Sequence, residues 1–554
     1  MDSAKHAGDV AVAVSRAFGV DVMFTLSGGH VFPLYDGAVH ENMRILDVRH
    51  EQSAVFAAEA TARLTRKPGL AVLTAGPGVT NGVSGVATAH FNGSPVVVMG
   101  GRAPLSRWGS GALQELDHPP LLEPITKRSF TAASAESVAQ DVATAFRTAL
   151  APHRGPVFLD FYMDHLFAQA PEPPAEALTP QDAGADGSRE PDSDALAHIA
   201  RLLAEAERPV LVLGSDVWMD RAEQAAREFA EEYRLPVILN GQGRGILPSG
   251  HELLVTRARG TAFGQADLVI VAGAPLDFRL GYGWFGGKEG TPLARVVHLV
   301  DAPSQIATHI QPAGAAAGDL TLVFRGLATA CAAAGVSPKR YAPWLTRLAE
   351  AAAAARAGDA ELLASAADPI HPMRIYGELN KVLADDAVVI GDGGDFVSYA
   401  GKYVEPERPG CWLDPGPYGC LGTGLGYAIA ARLARPSSQV VLLLGDGAAG
   451  FSLMDVDTLV RHDLPVVMIC GNNGMWGLEK HPMQLLYGYD VAAELRQGTR
   501  YDQVVTALGG GGELVTSPDE IGPALRRAFD SGVPYLVNVV TDPAIAYPRN
   551  TTGV

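Results

Sequence analysis

Short, unbroken apolar runs punctuate the chain. "GLAVLTA", "SPVVVMGG" and "GPVFLDF" come first, then "RPVLVLG", "LPVILN", "ADLVIVAG" and "RVVHLV", then "AVVIGDGG", "QVVLLLGDG", "LPVVMICGNN" and "PYLVNVV". Runs of this length without polar alternation, each closing on Gly, Asn or Asp, predict strands buried on both faces, as in parallel sheets covered by helices. Ala-rich helical stretches separate them, so the fold class is α/β with mainly parallel sheets. The series breaks twice. Residues 170–195 are rich in Pro, Ala and acidic residues and predict an exposed linker, and residues 330–370 predict a second, largely helical connector. Three domains follow, at 1–168, 190–335 and 365–554. The first and third share an order of Gly-rich turns after strands, a hint of related halves.

Composition narrows the classes of function. A chain of 554 residues is too long for one compact core. Its net charge of -18 argues against nucleic acid or an anionic membrane as a general partner, while leaving room for an anionic ligand in a local basic pocket. No stretch reaches the ~18 uninterrupted apolar residues of a membrane span, and the N-terminal residues lack the pattern of a secretory signal. The four cysteines, Cys331, Cys411, Cys420 and Cys470, are scattered and fit reduced thiols in a cytoplasm. A cytoplasmic enzyme acting on a small molecule is expected.

The chemistry concentrates in "GDGAAGFSLMDVDTLVRHDLPVVMICGNN", residues 445–473. A strand ending in Gly445-Asp446-Gly447 puts a carboxylate at the sheet's carboxyl edge, where open α/β sheets bind ligands, and the glycines allow close backbone approach. Ala448 is small enough to let a phosphate reach the start of the next helix, whose free N–H groups favour anions. One helix and one strand later, Asn472 and Asn473 arrive at the same edge. Asp and Asn oxygens, a backbone carbonyl, diphosphate oxygens and water make an octahedral set suited to Mg²⁺. The alternative is a helix-capping Asp and an unrelated Asn-Gly turn.

On these residues the chain resembles the thiamine diphosphate enzymes of the acetolactate synthase, oxalyl-CoA decarboxylase and 2-hydroxyacyl-CoA lyase group, over nearly its whole length. The resemblance implies the order pyrimidine-binding, central and diphosphate-binding domain, with Asp446, Asn473 and the Met475 carbonyl as metal ligands. Glu51, opening a helix after the strand "RILDV", looks like the carboxyl group that bonds the cofactor's pyrimidine ring; otherwise it merely stabilises a helix N-terminus. "TAGPGVTN", with Thr74, Pro77 and Asn81, resembles the loop beside that ring. Leu421 matches the apolar residue that bends the cofactor, and Gly393, Gly394, Asp395 and Phe396 match a turn on the diphosphate. In this group Glu51 and the clamp come from different subunits, so a dimer or a tetramer is expected.

The reaction is harder to read. His30 in "SGGHVF" is similar to the active-site His of the group's benzaldehyde lyase, where the synthases usually carry an apolar residue; it suits proton exchange with a substrate hydroxyl, or else is a turn His bonded to backbone. Gln114 in "GALQELDH" resembles the hydrogen-bonding residue facing the reacting carbon, with Leu113 where relatives often have Phe or Tyr. Glu494 is a candidate base and Trp476 a substrate contact. Arg257, Arg259 and Arg279 suit the phosphates of an ADP or CoA nucleotide, with FAD as the alternative, or are solvated surface arginines. Arg549 is a candidate contact in the tail. The reading placed first is a carbon–carbon lyase cleaving a 2-hydroxyacyl-CoA to formyl-CoA and an aldehyde or ketone. Its alternative is an acetolactate synthase-type carboligase or decarboxylase acting on a 2-keto acid. A non-catalytic thiamine-binding protein would be expected to have lost Glu51 or the metal ligands.

Overall fold

The computed structural model describes residues 5–180, 189–287 and 293–547. Three sheets are built from β1 (Val22–Thr25), β2 (Arg44–Asp47), β3 (Gly69–Leu73), β4 (Val96–Arg102), β5 (Arg128–Thr131) and β6 (Val157–Tyr162); from β7 (Pro209–Leu213), β8 (Val237–Leu239), β9 (Leu268–Ala272), β10 (Arg295–Val300) and β11 (Gly314–Ala317); and from β12 (Val388–Asp392), β13 (Trp412–Leu413), β14 (Val440–Gly445), β15 (Val467–Asn472), β16 (Gly511–Val515) and β17 (Tyr535–Val540). Every strand pairing in them is parallel. The runs read from sequence are the central strands together with the buried edge strand β8, and their residues are almost all buried. Helices cover both faces, which is why those strands show no polar alternation.

The outer sheets have the same strand order. The first runs β2-β1-β3-β4-β6-β5 and the third β13-β12-β14-β15-β17-β16, position for position. The middle sheet, β11-β10-β9-β7-β8, is a five-stranded doubly wound arrangement. The helix after β2, Glu51–Thr65, and its counterpart after β13, Thr423–Ala434, pack on each other. One buried core therefore runs from the first sheet into the third, with Phe24, Leu73 and Val98 in the same cluster as Ile390, Leu442 and Met468. Gly426 makes the close approach possible, because a Cβ there would lie 2.8 Å from Phe56 Cβ and 2.9 Å from the Ser53 carbonyl. Gly426→Val is expected to force the helices apart at a cost of about 2 kcal/mol, read as a lowered melting temperature; an unchanged Tm would refute this close packing.

Both connectors pack against the domains, and the second is helical as its composition predicts. Within the first, Ala177 is fully buried in the core of the first sheet. The second holds the helix Ala342–Leu363, whose Trp344, Leu345, Leu348 and Ala352 join the central core. No single helix among the described residues is long and apolar enough to cross a membrane.

Candidate active site

In the third sheet the strand order reverses direction between β12 and β14, so the carboxyl ends of these two strands and of β15 open a crevice at the switch point. A cavity of about 960 Å³ lies there, and Gly393, Gly394, Asp446, Gly447, Asn473 and Met475 are among the residues lining it. Asp446 is the first residue of the helix Asp446–Ser452 and is 3 % exposed. Its Oδ1 accepts the Gly447 N–H (3.0 Å) and its Oδ2 the Gly474 N–H (2.7 Å), tying the exit of β14 to the turn after β15. Burial pushes its carboxyl up to about 6 in spite of those bonds. Among the described residues no cation lies within ion-pair distance of it. A buried carboxylate with no positive partner is a fit place for a hard divalent cation.

The two adjacent asparagines have separate tasks. Asn473 Oδ1 accepts the Met475 N–H at 3.2 Å, a local turn that keeps this side chain at the cavity edge. Asn472 points into the sheet instead: it is 2 % exposed and its Nδ2 donates to the Thr499 carbonyl (2.9 Å) and to Asn538 Oδ1 on β17 (3.1 Å). Met475 forms an isolated antiparallel bridge with Glu494, made by the bonds Trp476 N–H to Ala493 O and Leu495 N–H to Gly474 O. That pattern leaves the Met475 carbonyl outside the bridge.

Asp392, which the motif reading passed over, is fully buried and accepts the N–H groups of Gly422 (3.1 Å) and Gly424 (2.9 Å). It fixes the turn that presents Leu421 and, like Asp446, is pushed up to about 6 by burial. Its position between two glycines at a strand end is the signal that identifies it. Ala448 is buried against Gly393. Phe396 packs into the core beside Tyr376, ring centroids 5.3 Å apart, so it supports the turn that Asp395 opens. Trp476 is half-buried over Gly447, where a Cβ would collide with the indole at 2.5 Å.

In the first domain a second constellation forms. Glu51 begins its helix, is 6 % exposed, and accepts a hydrogen bond on Oε2 from Asn81 Nδ2 at 3.0 Å. Pro77 starts the short helix that carries Asn81. Thr74 Oγ1 lies 3.2 Å from Nδ1 of His30, which is 7 % exposed. Burial lowers the pKa of His30, a hydrogen bond to the Leu113 backbone raises it, and the neighbouring His118 lowers it, with a net shift downward. Gly101 leaves the space for this ring, since its Cβ would sit 2.6 Å from His30 Cβ. Gln114 is held at φ 59°, facing Gly76, while Leu113 is 78 % exposed.

Several expected contacts are corrected. Glu494 is exposed and its carboxylate is held by Lys480 Nζ at 2.7 Å, so it is a surface ion pair and not a base facing the cavity. Arg257 is neutralised by Asp359 and also donates to the Lys402 carbonyl (3.0 Å). Arg279 is neutralised by Asp277 through Nε and Nη2. Of the three arginines only Arg259 has no carboxylate within ion-pair distance among the described residues; its Nη2 donates to the Arg279 carbonyl, and burial with Arg244 and Arg279 nearby pushes it down to about 10. Arg244, unpredicted, lines the same cavity, donates to the Gly401 carbonyl (2.7 Å) and lies over the Trp412 ring at 4.5 Å. An anion subsite here would rest on Arg244 and Arg259. Arg549 lies outside the described residues.

Glycine turns at the switch point of a parallel sheet, beside a buried carboxylate with no cation in ion-pair distance among the described residues, define an α/β protein with a ligand crevice in its third domain. The chain belongs to the thiamine pyrophosphate enzyme family, matching its N-terminal TPP binding domain over residues 5–121, its central domain over 196–327 and its C-terminal TPP binding domain over 392–539. It is a thiamine diphosphate-dependent enzyme. It is 50 % identical over 548 residues to a probable acetolactate synthase of Mycobacterium bovis and to the acetolactate synthase large subunit IlvG of Mycobacterium tuberculosis, covering 99 % of this chain and 97 % of each relative. It is 32 % identical to the 2-hydroxyacyl-CoA lyase 2 of Caenorhabditis elegans, covering 96 % of this chain and 87 % of the relative.

Proposed function

We propose that this enzyme is an acetolactate synthase-type carboligase acting on 2-keto acids. The observation that carries this reading is the 50 % identity to proteins of that name across essentially the whole chain; it reverses the order in which the sequence motifs alone placed synthase and lyase. Bound thiamine diphosphate supplies a nucleophilic carbon that attacks carbonyl groups. Asp446, Asn473 and the Met475 carbonyl would hold Mg²⁺, and the backbone at Gly393, Gly394, Gly445 and Gly447 would let the diphosphate approach closely. Leu421, presented by the turn that Asp392 fixes, would pack against the cofactor. Asn81 occupies Glu51 Oε2, which leaves Oε1 to exchange a proton with the pyrimidine ring.

The active form is at least a dimer in this reading. The residues lining the cavity all lie at or beyond Leu239, and none comes from the domain that carries Glu51. A second copy then brings Glu51, His30 and Gln114 over the clamp. Exposed apolar side chains on both halves, Phe32, Leu113 and Leu121 on one and Leu485, Leu486 and Tyr487 on the other, suit such an interface.

His30 favours a second reading, the cleavage of 2-hydroxyacyl-CoA to formyl-CoA. A buried imidazole whose pKa is lowered is neutral at pH 7 and able to accept the substrate's hydroxyl proton. Arg244 and Arg259 would then meet the phosphates of CoA. The two readings separate on incubation with thiamine diphosphate, Mg²⁺ and either pyruvate or a 2-hydroxyacyl-CoA, assaying acetolactate and formyl-CoA. Acetolactate is the expected product, and its absence beside steady release of formyl-CoA would overturn the synthase reading. His30→Ala is expected to lower turnover less than about tenfold if the enzyme is a synthase and about 10²-fold or more if it is a lyase.

A further inference from the structure

His118 lies in the segment that carries Gln114, and no role above uses it. It is fully buried, and its two ring nitrogens have different partners. Nε2 accepts the backbone N–H of Gly76 at 3.0 Å, while Nδ1 is 2.9 Å from Asp160 Oδ2. A backbone amide can only donate, so Nε2 carries no hydrogen and the proton sits on Nδ1, directed at the carboxylate. Asp160, also fully buried, further accepts from Arg102 Nη1 (3.1 Å) and Thr131 Oγ1 (2.5 Å). Arg102 in turn binds Asp117 (2.7 Å) and lies under the Trp108 ring at 4.1 Å. The segment from Trp108 to His118 is thus pinned at both ends to β4 and β6, while Glu115 ties its middle together by accepting the N–H groups of Gly109 and Ala112.

Two neighbours of the reacting centre depend on that anchorage. Gln114 occupies a left-handed conformation that a residue with a Cβ adopts only when its surroundings impose it. Gly76, itself at φ 57°, faces it so closely that a Cβ on Gly76 would lie 2.9 Å from Gln114 Cβ. The Leu113 backbone beside Gln114 raises the pKa of His30, whose Nδ1 lies 3.2 Å from Thr74 Oγ1 on the turn itself. The Gly76-to-His118 bond therefore joins the turn 74–81, which carries Thr74 and Asn81, to the segment that carries Gln114.

We infer that His118, held in one tautomer by Asp160, is a positioning residue that sets the turn 74–81 against Gln114 through its bond to the Gly76 N–H. This rests on the assignment of turn 74–81 and Gln114 to the active site. Two substitutions separate the bonds. In His118→Gln the side-chain carbonyl reaches the Nε2 position and can accept from Gly76, but the bond to Asp160 is lost. In His118→Asn the amide reaches the Nδ1 position and keeps Asp160, but leaves the Gly76 N–H without a partner. Each variant loses one buried hydrogen bond, so their melting temperatures are expected to fall together.

The first readout is amide hydrogen exchange of residues 74–81 in the cofactor-free protein. Exchange is expected to rise about tenfold or more in His118→Asn and to stay near wild type in His118→Gln. The second is kcat with whichever of pyruvate or 2-hydroxyacyl-CoA the wild type turns over, expected to fall about tenfold or more in His118→Asn and less than about threefold in His118→Gln. Equal effects in the two variants, or wild-type exchange in His118→Asn, would overturn the inference. Changed exchange with unchanged kcat would sustain the anchor while refuting the assignment of this turn to the active site.

Discussion

Glu51→Gln is expected to lower turnover by about 10²–10⁴-fold while leaving the fold and the binding of thiamine diphosphate intact. The amide fills the same space at the start of the helix Glu51–Thr65 and can still meet Asn81, but it cannot carry a proton to and from the pyrimidine ring. Steady-state kinetics alongside cofactor titration by tryptophan fluorescence checks this, and activity within about threefold of wild type would remove Glu51 from its role. The same variant tests the arrangement of subunits. Glu51→Gln and Asp446→Asn are each expected to be nearly inactive alone, but if one active centre takes Glu51 from one copy and the clamp from another, mixing them under subunit exchange rebuilds one working centre per mixed dimer. About a quarter of wild-type activity is expected to return, since random assortment makes half the dimers mixed. No recovery, with mixed dimers demonstrated by mass spectrometry, would place both groups in the same chain's centre.

Asp446→Asn is expected to have effects of opposite sign on function and on stability. Without the carboxylate the clamp loses its only formal negative charge among Asp446, Asn473 and the Met475 carbonyl, and Mg²⁺-dependent cofactor binding should weaken by about 10²-fold or more. In the cofactor-free protein, however, the ionised carboxylate is a burden. Its pKa is about 6 against an ordinary 3.8, so keeping it charged in the folded state at pH 7 costs on the order of 3 kcal/mol. With the folded value above the unfolded one, this group favours folding most below pH ~4, and that contribution is lost as pH rises through about 6. Asn is neutral throughout. The cofactor-free variant should therefore melt a few degrees higher than wild type at pH 8, less any cost of turning its amide N–H toward Gly447 or Gly474. That difference should shrink at pH 5. A lower Tm for the variant at both pH values would show that the two backbone bonds outweigh desolvation. Asp446 would then be a structural cap that also happens to bind metal.

The reach of the sequence follows the range of the interactions involved. Central strands such as β3, β4, β14 and β15 are legible because burial on both faces demands an unbroken apolar run, a local property. Four of the edge strands, β5 with an exposed Arg128, β11 with "GAAA", the two-residue β13 and the Gly-rich β16, carry no such demand and leave no run to read, whereas the edge strand β8 is fully buried and does. "GDG" and "NN" are legible as a pair because one helix and one strand of fixed length separate them, so chain geometry delivers Asp446 and Asn473 to neighbouring strand ends.

Partnership across the chain left no comparable trace. Arg257, Arg259 and Arg279 look alike in sequence, yet Asp359, more than a hundred residues away, neutralises the first, Asp277 the third, and none of the described acids lies within ion-pair distance of the second. Asn472 and Asn473 are adjacent and identical, but alternation along β15 turns one into a network with Asn538 and leaves the other at the cavity. His118 stands in "LDHPP" without any motif, and its meaning comes from Gly76 and Asp160, both 42 residues away. Periodicity and spacing are short-range constraints that a single chain writes in order. Charge neutralisation, tautomer choice and the meeting of the first and third sheets in one core depend on contacts between distant segments, which exist only once the chain has folded.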